Sequence, residues 1–113
     1  MRSSEDFRRV TRRGVRAGSP SIVVYAGPAP SGSDVRVGII VGRPVGNAVI
    51  RNRVKRRLRH LAARHLPSTP AGVDLVVRAL PRAAVAGDHL ITDLDKAWTR
   101  ATTRLTPQPA VAR

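Results

Sequence analysis

The segment "VGNAVIRNRVKRRLRHLAARHL", residues 45 to 66, constrains the fold more than any other stretch. At about 100° per residue, Ile50, Val54, Leu58, Leu61 and Ala62 fall within roughly 120° of arc. That stripe can pack on a sheet. Lys55, Arg56 and Arg59 fall on the opposite side, with Arg51, Arg53 and Arg57 at its margins. The spacing therefore predicts a helix with one core face and one dense cationic face, rather than a disordered basic tail. Asn47 is a candidate N-cap, and Pro67 and Pro70 stop the helix near Leu66.

Six of the nine residues from 51 to 59 are Arg or Lys, and no carboxylate occurs between Val35 and Val73. Like charges at i, i+4, such as Arg51 with Lys55 and Lys55 with Arg59, each cost a free helix a few tenths of a kcal/mol, about 0.2–0.5. A solvated structural helix would gain from interspersed Glu. The whole chain leans the same way, with 21 basic and 7 acidic side chains in 113 residues, a formal charge of +14. Nineteen of the 21 are Arg, which suits bidentate phosphate contacts and stacking on bases. An excess of this size points to a polyanionic partner, and nucleic acid is the commonest. Charge alone does not choose between RNA and DNA.

The rest of the chain reads as one small domain. "SSEDFRRVTRRG" predicts a short helix capped by Ser3 or Ser4 and stopped at Gly14. "SIVVYA" (21–26), "VRVGIIV" (35–41) and "VDLVVRAL" (73–80) predict buried strands, and "GPAPSGSD" between the first two predicts a loop. From Asp88 to Leu105, Leu90, Leu94, Ala97, Trp98, Ala101 and Leu105 recur at helical spacing, so Trp98 belongs to the core. The expectation is an α+β fold, an α/β sandwich with helices packed on one central sheet. Residues 1–105 would form the domain and residues 106–113 a disordered tail. With no Cys, no signal-peptide core and no apolar run near the roughly 20 residues of a membrane span, the expected address is the cytoplasm.

Catalytic chemistry is not legible. His60, His65 and His89 form no metal-ligand pattern, and Glu5, Asp6, Asp34 and Asp74 are scattered rather than paired. Asn52, between Arg51 and Arg53, is either an exposed polar residue or an amide that hydrogen-bonds a phosphate, ribose or base edge. A ribosomal or general RNA-binding protein explains the charge and the helix.

"VGNAVIRNRVKRRLRH" also resembles the signature of the bacterial ribonuclease P protein component, in which a Gly-Asn-Ala-Val element runs into Arg-Asn-Arg and further basic residues. Gly46, Asn47, Ala48 and Val49 match the first part; Arg51, Asn52, Arg53, Lys55, Arg56, Arg57 and Arg59 match the second. "SEDFRRVTRRG", "SIVVYA", "RVGIIVGRPVG" and "DLVVRA" match the flanking elements in order, over about residues 3 to 105. The resemblance implies the protein subunit of a ribonucleoprotein endoribonuclease that removes the 5′ leader from precursor tRNA. Catalysis would be carried by the RNA subunit with Mg2+ held by RNA and substrate, and the protein alone would be neither catalytic nor metal-binding.

The resemblance further implies that Asn47, Arg51, Asn52, Arg53, Lys55, Arg56, Arg57 and Arg59 contact the catalytic RNA. Their helix would lie in a left-handed β-α-β crossover, against the usual right-handed rule. Phe7, Tyr25 and Arg43 would contact the single-stranded leader. The implied partners are the catalytic RNA and precursor tRNA, with no membrane, and a monomer in the absence of RNA. Three features depart from the family pattern. Thr11 stands where a second aromatic is common, and Arg43-Pro44 replaces a Lys-Lys pair. The basic stretch ahead of the first helix is nearly absent, so this subunit is expected either to work without that arm or to begin further upstream.

Overall fold

Alternation along the strands decides which residues meet which helix. The computed structural model describes residues 4–29 and 35–105, with side chains from residue 8 onward. Its elements run α1 (Ser4–Arg13), β1 (Val15–Gly18), β2 (Ile22–Pro28), β3 (Arg36–Ile40), α2 (Ala48–Ala63), β4 (Val73–Ala79) and α3 (His89–Leu105). They build one α+β domain around a four-stranded mixed sheet of order β1-β2-β4-β3. β1 and β4 both pair antiparallel with β2, while β3 pairs parallel with β4, so α2 is the crossover between two neighbouring parallel strands.

On one face the register aligns Val15, Ala26, Leu75 and Val37, then Ala17, Val24, Val77 and Ile39. These join Val54, Leu58, Leu61 and Ala62 of α2 and Leu90, Leu94, Ala97, Trp98 and Ala101 of α3 in the main core. The stripe expected on α2 is thus the buried one. On the other face the register aligns Arg16, Tyr25, Val76 and Gly38, then Gly18, Val23, Arg78 and Ile40, and at one end Gly27, Asp74 and Arg36. α1 packs over that end, where its Val10 is fully enclosed. The two helix-covered faces have separate apolar clusters, because Val10, Val23 and Val76 are buried outside the main core.

Glycine is required where α1 turns into β1. A Cβ on Gly14 would stand 2.2 Å from the Ala26 carbonyl oxygen and 2.5 Å from that of Val10. The Gly14 amide closes α1 by donating to the Val10 carbonyl at 3.0 Å. No side chain larger than hydrogen fits between the helix end and β2.

Polar contacts fix the other end of the molecule. The Trp98 indole N–H donates to Thr69 Oγ1 at 2.9 Å, and Thr69 donates to the His65 carbonyl at 2.7 Å. The His65 ring stacks on Trp98 at 5.0 Å and meets Asp95 at 2.6 Å. Trp98 is a core residue, as expected, but it also pins the chain leaving α2 to α3. Asp93 is buried and satisfied by the Ser21 amide and hydroxyl, at 3.2 and 2.6 Å. Leu58 is fully enclosed. Leu58→Ala is expected to lower unfolding free energy by about 3 kcal/mol through lost transfer and a residual cavity, measurable as a drop in the urea midpoint with unchanged slope.

The structure adds elements that the sequence pattern did not announce. β1 is one; others are the 3₁₀ turns at Arg43–Val45, Leu66–Ser68 and Pro81–Val85. β2 runs on to Pro28 into the expected loop, whose residues 30–34 lie outside the described residues, as do residues 106–113. α2 ends at Ala63 rather than near Leu66, because the chain tightens into a 3₁₀ turn once the prolines remove its donors. Among the described residues no helix is long and apolar enough to cross a membrane.

Candidate nucleic-acid interface

α2 begins where Gly46, at φ +156°, lets the chain turn sharply from the preceding 3₁₀ turn. A Cβ there would meet Ile50 Cγ2 at 2.9 Å, so the position requires glycine. The Asn47 side chain then caps the helix, its Oδ1 accepting from the Ile50 amide at 2.9 Å. Capping accounts for one of the two tasks expected of this residue. Its side chain is nevertheless exposed, so the amide lies on the same surface as the helix's cations.

Asn52, Arg53, Lys55, Arg56 and Arg59 are exposed, while Arg51 and Arg57 are half-buried at the two margins of the core stripe. The margins differ. Arg57 leans toward α3, with Nη2 3.9 Å from Asp88 Oδ1. That contact is long and open to water, worth a fraction of a kcal/mol at most. Arg51 leans toward the end of β3, where Val41, Ala48, Arg51, Asn52 and Lys55 line a hollow of about 280 Å³. The Arg51 Nε is buried with no hydrogen-bond partner among the described residues. A buried, unmatched N–H costs about 1–3 kcal/mol. The arrangement suits an anionic or carbonyl-rich ligand held between a desolvated guanidinium, an amide and an ammonium.

The opposite sheet face carries the second set. Tyr25 is half-buried on β2, and the Arg16 guanidinium lies 5.9 Å from its ring centroid. Arg78 is exposed one register step away, across from Val23. A half-open aromatic ring with cations on the neighbouring strands is the kind of surface that can stack an unpaired base near its phosphates. The Phe7 side chain lies outside the described residues, though its backbone belongs to α1. Arg43 is exposed on the 3₁₀ turn that leads into α2, at the end of β3 rather than beside Tyr25.

Sequence reasoning did not single out Arg9, Arg16, Arg36, Asp74 or Arg78. Asp74 is fully buried beneath α1 and accepts from Arg9 Nη2 at 2.7 Å and from Arg36 Nε and Nη2 at 2.9 and 2.6 Å. Burial alone would push its carboxyl up, but hydrogen bonds and charge from Arg36 and Arg9 outweigh it and hold the pKa below the ordinary 3.8. The sequence signal was available in part. Asp74 opens "DLVVRA" as a carboxylate inside an otherwise apolar strand, and such a group must find partners.

Comparison with known proteins identifies the family. The family model described as Ribonuclease P matches residues 1–102. A protein of a Nocardioides species described as "Ribonuclease P protein component" is 50% identical over 103 residues, covering 88% of each chain. One of the same description from Streptomyces bikiniensis is 46% identical over 110 residues, covering 88% of this chain and 89% of the other. Among solved structures, the Staphylococcus aureus RNase P protein superposes with TM-score 0.79 at 27% identity, covering 89% of this chain and 93% of that one. The Thermotoga maritima RNase P protein, solved in complex with 1-(4-fluorophenyl)-2-thiourea, gives TM-score 0.72 at 25% identity over 94% and 99% of the two chains. The chain belongs to the ribonuclease P protein component family.

Proposed function

We propose that this chain is the protein subunit of a cytoplasmic ribonuclease P. It binds the catalytic RNA through α2 and the single-stranded 5′ leader of precursor tRNA across the α1-covered sheet face. The RNA subunit then hydrolyses the bond that frees the mature 5′ end. The observation that carries the first half is the exposed cationic face of α2, made by Arg53, Lys55, Arg56 and Arg59, beside a hollow lined by Arg51, Asn52 and Lys55. The second half is supported by Tyr25 beside Arg16, with Arg78 one register step away, on a different face. Two faces serving two RNAs suit a subunit that joins catalyst to substrate.

The proposal assigns the chemistry to RNA. Among the described residues, the buried carboxylates are held structurally, Asp74 by two arginines and Asp93 by Ser21. Among the described residues no three His, Asp or Glu side chains gather in one place. The proposal keeps Mg2+ on the RNA and the substrate. The protein contributes cations that offset RNA–RNA repulsion and a cleft that holds the leader.

Cleavage of a precursor tRNA at low magnesium tests the reading, with protein alone, cognate catalytic RNA alone, and both together. Leader removal is expected only, or far faster, with both present. No enhancement by the protein would reduce it to a general RNA binder, and cleavage by purified protein alone would move the chemistry onto the polypeptide.

A further inference from the structure

We infer that Asp74 is a positioning residue for leader binding: from beneath α1 it fixes the helix and two arginines over the open sheet face. The inference rests on the leader reading above. α1 has only 10 residues, and among its described side chains Val10 alone is buried. Arg9 adds a polar tie to that apolar contact. Adjacent to Val10, it reaches Asp74 Oδ2 at 2.7 Å and also donates to the Pro28 carbonyl. The helix is thereby tied to β4 and to the end of β2 together.

Arg36 completes the arrangement from β3. Its Nε and Nη2 both bond Asp74, a paired geometry that fixes the guanidinium plane. Both arginines keep about a third of their side-chain surface in water, 30% and 32%, while Asp74 keeps none. One buried carboxylate therefore holds two cations on the face that carries Tyr25 and Arg16. Tyr25 pairs with Val76 two residues along β4 from Asp74, on the same side of the sheet.

A purely electrostatic role and a positioning role predict opposite signs. Asp74 places a negative charge in a surface proposed to bind a polyanion. If charge were all that mattered, Asp74→Asn would tighten leader binding. If position matters, it weakens leader binding and leaves α2, on the far face, untouched.

The experiment uses holoenzyme assembled from the full chain and its catalytic RNA. It measures affinity for a precursor tRNA and for the same tRNA without its leader, the ratio being the leader discrimination. Asp74→Asn is expected to lower that ratio about tenfold, comparable to losing one stacked base. Affinity for the catalytic RNA and the salt dependence of leader binding should stay as in the parent, because no cation is lost. Arg36→Lys keeps the charge but not the paired geometry, and should shift the ratio in the same direction; it carries the test if Asp74→Asn does not fold. Unchanged or increased discrimination in a folded variant overturns the assignment. Absence of discrimination by the parent overturns the leader reading and the assignment with it.

Discussion

Arg51→Ala is expected to weaken binding of the catalytic RNA by about 10- to 100-fold near physiological salt, the largest single effect on the basic helix. The estimate is that of a hydrogen bond to a charged group, about 1.5–3 kcal/mol. Arg51 differs from its neighbours because its Nε is already out of water and unmatched. Its half-buried side chain has less freedom to lose on docking. Arg56, exposed on the crest of the helix, keeps its hydration until contact and should cost only a few-fold. Both substitutions should flatten the plot of log affinity against log salt by about 0.9, since each removes one cation. Arg51→Lys should not restore affinity, because an ammonium on a flexible stem cannot present an N–H at the Nε position. The free protein should not lose stability in Arg51→Ala, as the change deletes an unsatisfied donor. A filter-binding titration at several salt concentrations, with a urea melt of the free protein, measures all of these.

Asp74→Ala is expected to cost about 3 kcal/mol of folding stability at neutral pH, the low end for removing one partner of a buried pair because both arginines reach water. The pH dependence carries the sign. The folded-state pKa of Asp74 is depressed, so the unfolded chain takes up its proton first as pH falls. The stabilisation is fully present above the unfolded value near 3.8 and is lost as pH falls below it, through the lower folded value. The parent should therefore lose stability steeply below about pH 4, and Asp74→Ala should lack that component while being weaker at pH 7. Urea midpoints at a series of pH values from neutral to acid give the comparison. Parallel curves would mean that the carboxylate contributes nothing through its charge.

The long, periodic elements were legible in the sequence and the short, dependent ones were not. Seven consecutive residues with one apolar pattern fix β4, and a five-residue stripe fixes α2. "VRAG" of β1 offers four residues with a single buried side chain, Ala17. It becomes a strand only because β2 supplies its hydrogen-bond partners, which no local signal announces. The site divides in the same way. The cationic face of α2 follows from spacing within one helix, so Arg51 to Arg59 could be named at once. That Arg51 would be desolvated and Arg57 drawn toward Asp88 depends on β3 and α3, which pack against α2 from elsewhere in the chain. Asp74 read as a stray carboxylate because its partners stand 65 and 38 residues away and meet it only when the sheet has assembled under α1.

β4 gives its odd-numbered residues, Val73, Leu75, Val77 and Ala79, to the core beneath α2 and α3, and Asp74, Val76 and Arg78 to the face under α1. One seven-residue strand thus carries two interleaved messages. A single-residue insertion or deletion within it would shift the frame between them. Everything beyond that point would change sides, sending Arg78 into the core and Val77 into water. Point substitutions in β4 can damage one face of the sheet and spare the other, whereas a change of length would erase both together.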